Sequence, residues 1–310
     1  MKMPSKHIMG HGLALVTPFT SADQIDFPSF ERILQRALKG NVDFFTVLGP
    51  GSESRALTPK ESQRLVDFAL DLLQGKKPLF LGMASSSTKA TLAELNVQFP
   101  EGSTRLNPKR GVAGVLIEVP NDPGIPQAGL VKHFKEVAEA APLPMLLHQR
   151  KGPKGSGLTA ASVVELSNHP GIMGWVDARC DFALTGEVIR SRAPGFAVVC
   201  ADDVSALPLL ALGADAALSS IGNAFPKAFS DLVGQAQFGE LHAARATHHQ
   251  LAPLLRLLER TASATGIKAV LHQLGTCEPH VRLPLAPMDD AWTQSVYRVI
   301  AHMEPGTFAP

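Results

Sequence analysis

A histidine and three cations lie close together in the stretch PMLLHQRKGPKG, where an apolar run ends. His148 is the first polar side chain after that run, and Arg150, Lys151 and Lys154 follow it. An imidazole with a pKa near neutrality can transfer protons or bind a metal ion, and neighbouring cations can hold an anionic ligand. The stretch therefore predicts either a proton-transfer and anion-binding site or a hydrogen-bonded histidine followed by solvated loop charges.

Carboxylates at the ends of other apolar runs offer a second kind of site. Glu118, Asp177 and Asp202, together with His148, could in principle form a metal site at the rim of a sheet. The chain has no HxH or HxxxE cluster, and Asp177 should face away from its neighbour Val176 because strand side chains alternate. We therefore predict no metal and no cofactor, and expect Asp202 with the adjacent aspartate to cap the following helix.

Composition excludes several classes of partner. The chain has 310 residues, a formal net charge of +1 and no long basic run, which argues against binding of nucleic acid or an anionic membrane. Its apolar runs are too short to span a bilayer, and its first residues lack the apolar core of a signal peptide. Cys180, Cys200 and Cys277 form no CxxC pair, so we expect reduced thiols and a cytoplasmic location.

Short apolar runs alternate with helical patterns over the first two thirds of the chain. The runs are nearly continuous, as in strands that are buried on both faces of a parallel sheet. Eight strand–helix units predict an α/β fold, a (β/α)8 TIM barrel, with an open doubly wound sheet as the structural alternative. The runs cover residues 12–17, 42–49, 78–83, 112–119, 144–149, 171–176, 196–200 and 214–220.

The pattern changes after the eighth run. Residues 228–262, 266–275 and 290–303 are predicted to be helical with no strand between them. We predict a barrel over residues 1–223 and C-terminal helices packed on it over residues 224–310. Thr58 with Glu61 forms a capping-box pattern at the start of an earlier helix.

Five stretches resemble the dihydrodipicolinate synthase / N-acetylneuraminate lyase family. They occur in the family's order from about residue 12 to residue 300 and also predict the barrel. The stretches are GLALVTPFTSADQID (12–26), LGPGSES…LT (48–58), VPNDPGIPQAGLVKHF (119–134), ADDVSALPLLALGADAALSSIGN (201–223) and GIKAVLHQLG…VRLPLAPM (266–288).

The resemblance implies a lyase that joins pyruvate to an aldehyde or runs the reverse cleavage, with no cofactor. In the family, a lysine at the end of strand six forms a Schiff base, and a tyrosine ending strand five relays protons. The stretch GWVDA is similar to the family's strand six but has Val176 at the lysine position, and His148 stands at the tyrosine position. The resemblance assigns carboxylate binding to the loop residues Gly51, Ser52, Glu53 and Ser54.

We therefore expect a family lyase for 2-oxo acids in which imine formation at Val176 is excluded. The alternative is a catalytically silent ligand-binding or assembly subunit on the same barrel. The expected partner is a small anionic or 2-oxo acid ligand, held by Lys151 or Lys154, unless one of these lysines replaces the lost nucleophile. The resemblance also implies a homo-oligomer, either a dimer or a tetramer.

Overall fold

Eight parallel strands close into one barrel in sequential order in the computed structural model of the chain. The structure describes residues 8–84, 87–107, 109–120, 122, 124–153, 156–261 and 263–303. The predicted (β/α)8 barrel is confirmed, and the open-sheet alternative is wrong because β1 pairs with β8. The strands are β1 (Gly10–Ala14), β2 (Phe44–Val47), β3 (Leu79–Met83), β4 (Gly114–Glu118), β5 (Met145–Gln149), β6 (Ile172–Asp177), β7 (Ala197–Cys200) and β8 (Ala216–Ser219).

Helices follow the strands and continue beyond the last one. The predicted helix over 228–262 is two helices, because Gly239 takes a left-handed φ of 80° in the turn between them. The helices are α1 (Phe27–Lys39), α2 (Pro59–Leu73), α3 (Thr88–Gln98), α4 (Gln127–Ala140), α5 (Ala160–Ser167), α6 (Phe182–Ser191), α7 (Ala206–Leu212), α8 (Pro226–Gln237), α9 (Leu241–Leu258), α10 (Ser263–Gln273) and α11 (Asp290–His302).

Two apolar layers hold the barrel together. Alternating strand residues fill its interior, among them Phe44, Phe80, Leu116 and Val176. The opposite strand faces pack against the helices and form the larger core. This two-sided burial explains why the strands are continuous apolar runs in the sequence.

Local sequence determines where α2 begins. Thr58 accepts a hydrogen bond from the Glu61 amide while the Glu61 carboxylate accepts one from the Thr58 amide, so the predicted capping box is present.

After β8, α8 packs against α1 and β1, and α9 packs against α8. The division of the chain at residue 223 stays a prediction. Among the described helices, none combines the length and the apolarity needed to cross a membrane.

Candidate functional site

The carboxyl ends of the strands open into a cavity of about 740 Å³. Its lining comes from the ends of β3, β4 and β5, from the turns after the strands, and from α9, α10 and the segment before α11. In α/β barrels, loops at this end of the strands build the ligand sites. The side chains at these strand ends are therefore the candidates for ligand binding.

His148 lies near the end of β5 with its side chain towards this cavity. It is level with Glu118 on β4 and Val176 on β6 in the strand register. The imidazole is buried, and its Nε2 has no hydrogen-bond partner among the described residues. Burial, and then the charge of Arg150, lower the pKa of His148 to about 3. The near-neutral pKa expected from sequence is wrong, because the interior disfavours the imidazolium.

Glu118 holds two arginines at the rim of the cavity. Its Oε1 accepts hydrogen bonds from Arg55 Nη2 at 3.0 Å and from Arg150 Nη1 at 2.8 Å. One largely buried carboxylate is thus shared by two partly exposed guanidinium groups, and the trio carries an excess positive charge. Such a group can bind a carboxylate, since each guanidinium has five N–H donors.

Lys151, in the turn after β5, is fixed by an acidic partner in the turn after β7. Its Nζ donates to Asp202 Oδ1 at 2.9 Å. Burial acts to lower the pKa of Lys151, but the hydrogen bond and charge of Asp202 outweigh it and raise that pKa. Lys151 is therefore a cation at neutral pH, which suits ion pairing and opposes imine formation. Lys154, the other predicted anion-binding lysine, lies outside the described residues.

The two aspartates after β7 have different roles. Asp202 accepts hydrogen bonds from the amide and hydroxyl of Ser205, the N-cap residue of α7, so the predicted side-chain cap on the amides of α7 itself is not formed. Asp203 instead accepts from the amides of Ser220 and Ile221 after β8, which the sequence did not indicate. Burial raises the pKa of Asp203 to about 7, against the opposite effect of these amides. It lines the cavity and is a titratable group near neutrality.

The loop after β2 reaches the cavity in a constrained conformation. Leu48 and Glu53 have left-handed φ values of 57° and 56°, which cost of order 1–3 kcal/mol each. Gly51 has a φ of 72°, and a Cβ there would lie 2.9 Å from Ser263 Oγ. Of the loop residues predicted to bind a carboxylate, all but Ser52 line the cavity. Ser52 is buried, and its hydroxyl donates to the Gly49 carbonyl at 2.7 Å.

Glu53 is held by a buried ion pair with α10. Lys268 Nζ lies 2.5 Å from Glu53 Oε1 and also donates to the His280 carbonyl at 2.8 Å. The Arg282 amide donates to the other Glu53 oxygen, at 2.8 Å. The Lys268 ammonium also lies 4.2 Å from the centre of the Phe19 ring. These contacts give the Glu53 carboxylate a positioning role rather than an exposed binding role.

Val176 belongs to the apolar interior of the barrel and is not among the residues that line the cavity. Its neighbour Asp177 faces the other way, as strand alternation predicts. The Asp177 carboxylate accepts from the amides of Arg179 and Cys180 after β6. The described residues contain no group of three or more His, Cys, Asp or Glu side chains arranged for a metal ion.

Sequence reasoning missed Arg55, Asp203 and the apolar residues of α9 and α10 that line the cavity. Arg55 directly follows the glycine-rich loop, so its position in the sequence was an available signal. The lining residues of α9 and α10 belong to helical apolar patterns, which predict that these helices pack on the barrel but not that they border a cavity. Which part of that face borders a cavity depends on the tertiary structure.

The fold and the cavity define an α/β barrel with a candidate ligand site at the carboxyl ends of its strands. The model of the dihydrodipicolinate synthetase family matches residues 7–303. The chain belongs to this family, which confirms the family resemblance found in the sequence.

Named relatives agree with this assignment. The chain is 35% identical over 280 residues to the 4-hydroxy-tetrahydrodipicolinate synthase of Salinibacter ruber, with 89% of each chain covered. The dihydrodipicolinate synthase of Thermotoga maritima superposes with a TM-score of 0.88 at 26% identity, covering 97% of this chain and 99% of that one. The chloride-inhibited synthase of Acinetobacter baumannii, solved in complex with pyruvate, gives a TM-score of 0.87 at 25% identity over 95% and 98% of the two chains.

Proposed function

We propose that this chain binds a 2-oxo acid or a similar small carboxylate at the barrel mouth and forms no imine at position 176. The named relatives are synthases, and one of them was solved with pyruvate, a 2-oxo acid. The proposed activity is that of a family lyase whose carbonyl chemistry does not pass through a Schiff base at β6.

The observation that carries the proposal is the open cavity with a buried, unpartnered imidazole nitrogen. An uncompensated polar atom in the interior is costly unless a ligand or water completes its hydrogen bonds. His148 Nε2 is such an atom, and the charge of Arg150, which is bound to Glu118, acts on the same imidazole. A bound 2-oxo acid would supply a carboxylate for the arginines and a carbonyl oxygen for the imidazole.

The chemistry at Val176 follows from its side chain. Valine has no nucleophile, and this residue packs against the barrel interior. Lys151 is protonated through Asp202, and Lys268 is fully buried in its pair with Glu53. Neither of these two lysines is therefore placed as a neutral amine at the cavity, which supports a reaction without an imine.

His148 is proposed to act as a neutral imidazole. With its N–H directed at the ligand, it would polarise the carbonyl without carrying a charge itself. Arg55 and Arg150 would hold the carboxylate and fix the orientation of the carbonyl. Lys154 stays a second proposed anion-binding residue after β5.

The silent-subunit alternative rests on one specific observation. A pKa of about 3 makes His148 a weak base, and Val176 has no group that can accept a proton. These two positions therefore offer little capacity for proton transfer. Against this alternative, the mouth is open. Trp175 and Phe45 pack in the outer core, and Val176 packs in the barrel interior, so none of the three fills the cavity. Assembly as a dimer or tetramer stays a proposal, which light scattering would test.

The test is calorimetric titration with pyruvate, paired with borohydride reduction and intact-mass analysis. We expect saturable binding and no covalent adduct, with an active lysine-containing family member trapped in parallel as the control. Arg150→Gln should weaken binding about tenfold or more, since it removes a charged hydrogen-bond donor. The exposed Arg245→Gln on α9 is the matched control and should bind normally. A ligand-sized mass increase would refute the imine-free proposal, and peptide mapping would identify the lysine.

A further inference from the structure

The cavity is larger than a three-carbon acid requires. Its volume of about 740 Å³ lies in the range of roughly 300–1,000 Å³ that encloses drug-sized ligands. Pyruvate has only three carbons, and binding its carboxylate and carbonyl would engage the groups around His148 and Arg150. Much of the cavity would then hold water only.

Both the strand ends and the C-terminal part of the chain supply polar and apolar side chains to the lining. The ends of β4 and β5 supply Glu118, His148 and Arg150. The C-terminal part supplies apolar side chains: Leu255 and Leu258 from α9, Ile267 from α10, and Leu283 and Leu285 from the segment before α11. The same part also supplies Glu259 and Arg282, so a ligand that extends from His148 to this part of the cavity meets leucines beside further charged groups.

The apolar residues of the C-terminal lining differ in how far the chain covers them. Leu255 and Ile267 are buried, whereas Leu258 and Leu285 are partly exposed and Leu283 is 84% exposed. Water against such side chains is unfavourable, and an apolar group that displaces it improves binding by about fourfold for each buried methylene. A ligand with an apolar body would remove this surface from water, whereas pyruvate would not.

We infer that the ligand is an amphipathic 2-oxo acid: its carboxylate binds at Arg55 and Arg150, and an extended aliphatic or aromatic substituent packs on Leu258 and Leu283. This inference rests on the proposed function, because the arginines and His148 anchor the acid end. It adds a specificity role for α9 and for the segment before α11.

The test is a series of dissociation constants for pyruvate, 2-oxobutanoate, 2-oxo-4-methylpentanoate and phenylpyruvate, measured by calorimetry. We expect affinity to rise along the series, with phenylpyruvate binding at least about tenfold more tightly than pyruvate. Leu283→Ser changes an exposed residue and should not affect folding, yet it should reduce the ratio of the two affinities several-fold. Leu258→Ser should reduce that ratio further.

A matched control is available on the same helix. Leu241 is 42% exposed near the start of α9 and does not line the cavity, so Leu241→Ser should leave the ratio unchanged. Equal affinities for all four acids would overturn the inference and leave the proposed function standing. Failure of every acid to bind would overturn the proposed function, and the inference with it.

Discussion

His148 illustrates how burial changes the chemistry of a single residue. An exposed imidazole has a pKa of about 6.5, but the interior lowers the pKa of His148 to about 3. Between these values the unfolded chain binds a proton at this site and the folded chain does not. The free energy of unfolding therefore falls as the pH drops from about 6.5 towards 3. His11, buried at the start of β1, acts in the same direction with a pKa of about 3.

Replacing His148 should make the protein less sensitive to acid. Urea unfolding at pH 7 and pH 4.5 should show a loss of stability that is smaller in His148→Gln than in the parent by about 2–3 kcal/mol. His249→Gln, at an exposed position on α9, should match the parent. An identical pH dependence in the parent and His148→Gln would show that the imidazole is not buried as a neutral group.

At the scale of elements, local patterns predicted most of the barrel. The apolar runs matched the strands because a strand that is buried on both faces has no alternation of apolar and polar residues. The capping box at Thr58 was predictable because its residues lie within four positions of each other. The contacts that shape the site join distant residues. Glu53 meets Lys268 across 215 residues, and Lys151 meets Asp202 across 51. No local pattern contains such pairs, so the sequence could not predict that Glu53 would serve to hold the loop.

Removing one partner of the ion pair between the β2 loop and α10 should destabilise the protein strongly. Lys268→Met removes the cation from the buried Glu53 carboxylate and leaves it the Arg282 amide as a hydrogen-bond donor, which should cost roughly 3–5 kcal/mol of unfolding free energy. Adding Glu53→Gln should recover part of that loss, because the unpaired charge is then removed. Lys227→Ala, which breaks an exposed pair with Asp231 on α8, should cost less than about 1 kcal/mol. Simple additivity of the Glu53 and Lys268 changes would contradict direct coupling.

At the scale of the whole molecule, the thiols report on the integrity of the fold. All three cysteines are free and buried, and the Sγ atoms of Cys180 and Cys200 lie 3.8 Å apart. The hydrogen bond with Cys180, together with burial, raises the pKa of Cys200, and burial raises the pKa of Cys277 to about 12. Thiolates are the reactive form, so the native protein should be inert to thiol reagents.

Reaction with an aromatic disulfide reagent should therefore be negligible in buffer and complete for three thiols in guanidinium chloride. The absorbance of the released thiolate measures both values. The unfolded chain is the internal control, since it shows that all three groups are reduced and reactive. A thiol that reacts rapidly in the native state would contradict the buried placement of that cysteine.

The pairing of Glu53 with Lys268 also has a consequence for the order of events during biosynthesis. At roughly 5–20 residues per second, a ribosome adds the lysine about 10–40 seconds after the glutamate has been translated. Throughout that interval the nascent β2 loop has no cation to hold its left-handed turn. The mouth of the barrel is thus completed only after α10 has left the exit tunnel, well after the eight strands have been translated.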